Sequence, residues 1–326
     1  MIKFDDAPAE TRWQEKYKPQ RRRYRMKKFR AFARGWTMAI WLILALLIFG
    51  NGELLSQSLD IPSKKWGISF GNSKKFTGLR FNFRDSQVCR ITGINITLWY
   101  PKKDDNNEAI VEGLSLGSIP MGGYLRGVQI GLLGISAAKS STGISIGVLG
   151  VGSGEDMTGV NNGGLGAGAG QDMKGLNIGG LGVGAGRDLI GINIGGLGAG
   201  AGRDMTGLNL GLFGVGAGHR MVGINIGGLG AGAPNVYGLN IGGLGVGGET
   251  LKGVHLALGM VHVPNDGQMI GFAASAFNYI KGTQTGLAIG LVNYAYRLKG
   301  VQIGLVNIVR DNPKYRKVLP LINANF

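Results

Sequence analysis

Residues 175–190 read Gly-Leu-Asn-Ile-Gly-Gly-Leu-Gly-Val-Gly-Ala-Gly-Arg-Asp-Leu-Ile, and residues 191–206 read Gly-Ile-Asn-Ile-Gly-Gly-Leu-Gly-Ala-Gly-Ala-Gly-Arg-Asp-Met-Thr. The near identity of the two stretches sets a period of 16 residues. A unit this small cannot bury an apolar face alone, so it must stack on its neighbours. The period therefore predicts an elongated repeat array.

The array continues in both directions with looser spacing, and about fifteen units fall within residues 76–326. Each opens with a glycine: Gly78, Gly93, Gly113, Gly127, Gly143, Gly159, Gly175, Gly191, Gly207, Gly223, Gly238, Gly253, Gly271, Gly286 and Gly300. Glycine makes up 62 of the 326 residues but proline only 9, without a Gly-X-Y period, which excludes collagen. A hydrophobic content of 44% excludes a disordered glycine-rich tract.

The charge of +16 is concentrated at the N-terminus. Residues 1–34 form a basic tail with twelve Lys and Arg against four Asp and Glu, and residues 35–50 form an apolar run predicted to be a helix. The run fits either a cleaved leader, with Met26 as an alternative start, or an uncleaved anchor. Both place the tail in the cytoplasm and export the chain after residue 52. Residues 51–75 are predicted to be a polar linker.

These features also predict partners. The membrane is the partner of residues 35–50, and anionic lipid is the partner of the basic tail. A basic tail beside an apolar run is typical of membrane topology signals, so no nucleic acid is expected. Self-association and contact with other envelope proteins are the remaining partner expectations.

Within a unit we number the opening glycine as position 1. Apolar residues recur at positions 2, 4, 7, 9, 11 and 15, and the alternation within 2–4 and 7–11 is typical of β-strands. The alternation changes phase at the Gly-Gly pair, which predicts a corner that keeps the apolar residues of both segments inward. Glycines at the alternate positions would leave one sheet face bare. The asparagines at position 3 would stack into a hydrogen-bonded ladder.

Position 15 favours one fold over another. It is apolar in every regular unit: Met157, Met173, Leu189, Met205, Met221, Val236 and Leu251. This pattern indicates a third inward side of a β-solenoid with coils of about 16 residues, capped by the irregular terminal units and by the basic stretch 310–317. The alternative is a transmembrane up-and-down β-barrel with one strand per unit and Phe326 in its terminal strand.

Several units resemble one protein family. Gly127-Val-Gln-Ile-Gly-Leu-Leu-Gly134, Gly286-Leu-Ala-Ile-Gly-Leu-Val-Asn293 and Gly300-Val-Gln-Ile-Gly-Leu-Val-Asn307, with Asp311-Asn-Pro and Leu319-Pro-Leu-Ile-Asn323 near the end, resemble the bacterial glycine-rich surface-repeat proteins built from Gly-Val-Gln-Ile-Gly-Leu-Val-Asn units. The resemblance covers residues 78–326. It implies an exported cell-envelope protein and carries no catalytic residues.

The candidate chemical sites are weak. Gly182, Gly184 and Gly186 match a dinucleotide-type spacing that this much glycine produces by chance. Stacked Asp156, Asp172, Asp188 and Asp204 suggest a calcium roll, but the adjacent Arg187 and Arg203 indicate neutralised, solvated corners. His219, His255 and His262 lack metal-ligand partners, and Cys89 is expected to be a small buried side chain.

The functional expectation follows from these observations. No catalytic, cofactor or metal residues are assigned, and the chain is interpreted as a non-enzymatic, exported cell-envelope protein with a structural or adhesive role. An outer-membrane barrel or channel is the alternative. An enzyme site within the irregular units at 78–126 or 253–300 is a weaker one.

Overall fold

A computed structural model describes residues 58–101 and 106–326 of the chain. The described residues form an all-β solenoid of about 14 turns, close to the fifteen units expected. The basic tail 1–34, the predicted helix 35–50 and residues 51–57 lie outside the described residues.

The strands divide into irregular terminal coils and regular central coils. The N-terminal strands are β1 (Ser58–Pro62), β2 (Trp66–Gly71), β3 (Lys75–Arg84), β4 (Arg90–Trp99), β5 (Ile110–Gly117), β6 (Met121–Gly131) and β7 (Gly134–Gly147). The central strands alternate short and long: β8 (Gly150–Ser153), β9 (Asp156–Gly163), β10 (Gly166–Ala169), β11 (Met173–Gly179), β12 (Gly182–Ala185), β13 (Asp188–Gly195), β14 (Gly198–Ala201), β15 (Asp204–Gly211), β16 (Gly214–Ala217), β17 (Arg220–Gly227), β18 (Gly230–Gly232), β19 (Asn235–Gly242), β20 (Gly245–Gly247), β21 (Thr250–Ala257) and β22 (Met260–Val263). The C-terminal elements are β23 (Gln268–Ala274), β24 (Phe277–Ile289), β25 (Val292–Val309), a 3₁₀ turn (Lys314–Arg316) and β26 (Val318–Asn325).

Successive coils stack in parallel and in register. Strand β13 lies between β11 and β15, with Gly191 paired to Gly175 and to Gly207. The short strand β12 lies in the same way between β10 and β14. An up-and-down arrangement would pair neighbouring strands antiparallel. The parallel stack is therefore the solenoid, and the antiparallel alternative does not describe this chain.

Both ends of the stack are covered by an antiparallel strand. Strand β1 pairs with β2, and β26 pairs with β25. Such strands cover the open edges at which another chain could add. The cap at the C-terminal end is thus β26, which follows the basic stretch 310–317 that was expected to block the edge.

The array also begins earlier than the sequence predicted. Gly67 of β2 pairs with Gly78 of β3, so a coil precedes the first predicted unit. The linker prediction is therefore wrong for residues 58–75. The short irregular strands there lack the 16-residue period that identified the other units.

The residues that face inward in the regular coils all lie at odd positions. In one regular coil these are Asn177, Gly179, Val183, Ala185 and Leu189, at positions 3, 5, 9, 11 and 15, and all five are buried. No change of phase occurs at the Gly-Gly pair, and the prediction that positions 2, 4 and 7 face inward is wrong. The odd residues at positions 7 and 13 lie at exposed corners instead.

Position 15 forms the third inward side, as predicted. Its residues have no exposed surface: Met157, Met173, Leu189, Met205, Met221, Val236, Leu251 and Met269. Smaller residues at positions 9 and 11, such as Val183 and Ala185, pack in the same core. The third corner is the opening glycine, where Gly191 has a φ of +117° and an added Cβ would overlap the carbonyl oxygen of Gly175. Glycine is required there because L-residues disfavour that φ.

Candidate interaction surface

A column of polar side chains runs through the interior at position 3. In the regular coils each asparagine donates from Nδ2 to Oδ1 of the asparagine one coil further on, at distances of 2.7–2.8 Å. The members of this asparagine ladder are Asn161, Asn177, Asn193, Asn209, Asn225 and Asn240, each at most 1% exposed. The predicted ladder is confirmed. Its position inside the coil means that the amides are satisfied by their neighbours rather than by water, except at the first member, where Asn161 Oδ1 has no partner among the described residues.

The ladder ends at His255, which is fully buried. Asn240 Nδ2 lies 3.3 Å from His255 Nδ1, so we assign Nδ1 as the acceptor and Nε2 as the protonated nitrogen. Nε2 has no hydrogen-bond partner among the described residues. Burial lowers the pKa of His255 to about 4. The imidazole is therefore neutral near pH 7.

Two columns of apolar side chains run along the outside of the same strands, at positions 2 and 4. We call them the aliphatic face. Position 2 contributes Ile68, Leu79, Ile94, Leu114, Val128, Ile144, Val160, Leu176, Ile192, Leu208, Ile224, Leu239, Val254, Phe272, Leu287 and Val301. Position 4 contributes Phe70, Phe81, Ile96, Leu116, Ile130, Ile146, Asn162, Ile178, Ile194, Leu210, Ile226, Ile241, Leu256, Ala274, Ile289 and Ile303. None of these residues is buried, none is charged, and Asn162 is the one polar member.

The register of the strands makes this face continuous. Ile192 pairs with Leu176 on one side and with Leu208 on the other, and the pairing continues to both ends of the stack. Ile192 is 44% exposed and Ile303 is 39% exposed. With strands about 4.8 Å apart, the columns extend for about 70 Å. Their width along the strand is about three residues, or about 10 Å, so they cover about 700 Å² in projection. Monomeric proteins rarely expose apolar patches above a few hundred Å².

A ridge of leucines borders the aliphatic face at the next corner. Leu181 at position 7 is 52% exposed, and the corresponding Leu165, Leu197 and Leu229 are also exposed. Their backbone amides continue the stack: Leu181 N–H donates to the carbonyl oxygen of Leu165 at 2.6 Å. The apolar surface therefore extends beyond the two columns and around the corner.

The neighbouring side of the coil is bare, as the sequence predicted. Gly182 and Gly184, at positions 8 and 10 of β12, point outward with ordinary backbone conformations. An added Cβ would lie 3.4 Å and 3.9 Å from the nearest atom outside the adjacent residues. A Cβ would fit at both positions, so packing within one solenoid does not require these two glycines. The same strand is hydrogen-bonded to β10 and β14, so its glycines do not form a phosphate-binding loop.

Charged residues of the regular coils occupy the remaining edge, at positions 13, 14 and 16. Arg187 donates to both carboxylate oxygens of Asp172 at 2.6 and 2.7 Å, and these hydrogen bonds lower the pKa of Asp172 to about 2. The equivalent pair one coil further on joins Arg203 to Asp188. Arginine thus neutralises Asp172, Asp188 and Asp204, as expected, although the corners are less solvated than the sequence predicted. The carboxylates are mostly shielded while the guanidinium groups are exposed.

The remaining candidates lie apart from one another. His219 is on the charged edge, 2.9 Å from Asp204, whereas His262 stacks on Tyr279 at 5.7 Å. Cys89 is exposed, so the expectation of burial is wrong. Within residues 58–101 and 106–326, no three His, Cys, Asp or Glu side chains gather as a metal site.

A buried ion pair lies in the N-terminal coils, and the sequence analysis missed it. Arg80, with no exposed surface, contacts Asp85 at 2.6 Å and Asn95 at 2.8 Å. Arg80 occupies the inward position 3, opposite Asn95. The rule that position 3 points inward would have predicted it. The ion pair continues the polar column of the ladder into the irregular coils.

Comparisons with protein-family models, with curated proteins and with solved structures find no match to this chain. No helix among the described residues is long and apolar enough to cross a membrane. The aliphatic face is the candidate interaction surface of the described residues.

Proposed function

We propose that this chain is an exported, non-enzymatic protein of the bacterial cell envelope with a structural or adhesive role. The observation that supports the proposal most directly is the aliphatic face. An elongated stack that repeats the same apolar pair in each coil presents a regular contact surface rather than a single pocket. Large exposed apolar patches are typical of interaction sites.

The N-terminal sequence supports the location. The basic tail 1–34 followed by the apolar run 35–50 is typical of a segment that directs export and keeps the tail in the cytoplasm. The resemblance of residues 78–326 to surface-repeat proteins supports the same location. In this proposal the membrane is contacted by residues 35–50, and the solenoid acts outside the cytoplasm.

A reporter fusion tests the proposal. A reporter enzyme that works only outside the cytoplasm, fused after Phe326 of the full chain, should be active. The double variant Leu44→Arg, Leu47→Arg should abolish that activity by interrupting the apolar run. Ile194→Asn is the matched control, because it changes the solenoid surface and leaves the export signal intact. Activity of a cytoplasm-only reporter on the unmodified chain would overturn the proposed location.

A further inference from the structure

We propose that a second copy of this chain covers the aliphatic face, with two solenoids packed face to face along their length. The inference shares the aliphatic face with the proposed function. It does not depend on where the protein is located, so the two can fail separately. It rests on three observations: the size of the face, its composition and the charge around it.

The size of the face matches what a stable dimer needs. The two columns cover about 700 Å² in projection, and the leucine ridge at position 7 adds to that surface. A specific dimer of standard size buries about 800 Å² per partner. Two such faces would form a complete interface without a contribution from the rest of the molecule.

The composition fits an interface between copies. Permanent homodimer interfaces are apolar and resemble a core cut in half. The aliphatic face is built mainly from Ile, Leu and Val on a sheet, with three Phe, one Ala and Asn162 as its one polar side chain. Two sheets pack face to face about 10 Å apart through such side chains. Because every coil presents the same pair of positions, the face of one copy complements the face of another.

In the central coils, the charge and aromatic pattern favours a second copy over a lipid surface. Between residues 143 and 252 the acidic residues are Glu155, Asp156, Asp172, Asp188, Asp204 and Glu249, and the basic ones are Lys174, Arg187, Arg203, Arg220 and Lys252. This balance gives the central coils no attraction to anionic lipid, whereas the excess of Lys and Arg lies in the terminal coils. The same coils contain only two aromatic residues, Phe213 and Tyr237. Surfaces that rest on membranes typically carry Trp or Tyr and a cationic border.

Cysteine cross-linking of the full chain in unfractionated cell lysate, before any detergent is added, tests this inference. The background variant is Cys89→Ser, which removes the one native thiol. Single cysteines are then introduced on the aliphatic face as Ile130→Cys, Ile178→Cys, Ile226→Cys or Ile289→Cys. The matched controls are Thr142→Cys and Thr158→Cys, exposed at position 16. A short bis-maleimide should give a band of twice the chain mass from face positions and none from the controls.

The pattern along the face also reports the arrangement of the two copies. If the rods run parallel about a two-fold axis along their length, every face position meets its own equivalent and cross-links. If the rods run antiparallel, only coils near the two-fold axis do so. Either pattern supports the inference, since both are restricted to the face.

Three results would overturn it. Face thiols that never cross-link and react with a water-soluble maleimide only after detergent is added would show that lipid covers the face. Face thiols that react freely without cross-linking would show an open face. Equal cross-linking at Thr142→Cys and Thr158→Cys would show random collision. Since none of these readouts depends on the reporter fused after Phe326, failure of the dimer leaves the export test unaffected.

Discussion

The two sides of a single strand differ in a way that reverses the usual arrangement of a sheet. In β11, Asn177 has no exposed surface, whereas its apolar neighbours Leu176 and Ile178 lie on the outside. Antiparallel and sandwich sheets ordinarily place apolar residues inside and polar residues in water. Here polarity does not decide which side is buried.

The width of the coil explains the inside. An added Cβ at Gly179, at position 5, would overlap the carbonyl oxygen of Gly182, which lies three residues further on at the start of β12. The coil is too narrow at this corner for an aliphatic side chain. Asparagine is tolerated at position 3 because stacking at one residue per coil satisfies its amide. A buried polar group that is fully hydrogen-bonded carries little penalty.

The outside has no such internal explanation. Within the part of the chain that the structure describes, nothing buries Ile192 or Ile194, so another surface is needed to cover them. The sequence therefore meets two separate requirements. Residues at the inward odd positions stabilise the fold, and residues at positions 2 and 4 form the proposed contact surface with a second copy. Mutations on the two sides should differ accordingly.

The largest expected effect comes from placing a charge on the inward side. Met205→Asp buries a carboxylate in a core position with no exposed surface and should lower the free energy of unfolding by at least about 4 kcal/mol. The adjacent Thr206→Asp points outward and should change it by less than about 1 kcal/mol. Urea unfolding of the purified full chain, followed by circular dichroism, measures both. Similar tolerance at the two positions would mean that position 15 is not part of the core.

The end of the ladder should make stability depend on pH. The pKa of His255 falls from 6.5 in the unfolded chain to about 4 in the fold, because burial disfavours the imidazolium. Below pH 6.5 the unfolded chain therefore binds a proton that the folded chain does not bind until about pH 4. Stability is complete above pH 6.5 and decreases by about 3 kcal/mol as the pH falls to 4.

His255→Asn is the matched variant for this pH dependence. It replaces the titrating ring with an amide that can accept from Asn240 and so extends the ladder by one coil. Unfolding midpoints measured between pH 4 and 7 should fall steeply with decreasing pH for the unmodified chain and more gently for the variant. An unchanged slope in His255→Asn would assign the pH dependence to other groups.

Exchanging the polarity of the two sides should have an intermediate effect. Asn193→Leu removes the partners of Asn177 Nδ2 and Asn209 Oδ1 and leaves two buried polar atoms unsatisfied, which should cost about 2 kcal/mol. Ile194→Asn on the outside should cost less than about 1 kcal/mol, since the side chain lies at the surface. Urea unfolding compares the two variants directly. Equal losses would show that the ladder does not distinguish inside from outside.

Sequence reasoning reached the period, the parallel stack, the inward position 15 and the ladder, because each depends on identical residues meeting at one spacing. It failed at positions 2 and 4, where hydrophobicity was taken to mean burial. The sequence did contain the information needed. The core residues Val183, Ala185 and Leu189 all lie at odd positions, and Asn177, at position 3, also lies at an odd position and so faces inward. The strands at 58–75 could not be recognised, because their spacing departs from 16 residues. The exposure of Cys89 depends on local backbone geometry that the period does not determine.

The smallest expected effect tests whether the bare face belongs to the fold. Gly184 has an ordinary backbone conformation and space for a Cβ, with the nearest atom 3.9 Å away. Because glycine within a strand has excess freedom in the unfolded chain, Gly184→Ala should stabilise the solenoid by about 0.5 kcal/mol. Gly191→Ala is the control with the opposite sign, since its φ of +117° and the carbonyl of Gly175 exclude a side chain. Urea unfolding of both variants measures the difference. A loss of stability in Gly184→Ala would show that the fold of one copy needs this glycine. A gain would show that the fold does not need it, and close approach by another surface would then explain why the position carries no side chain.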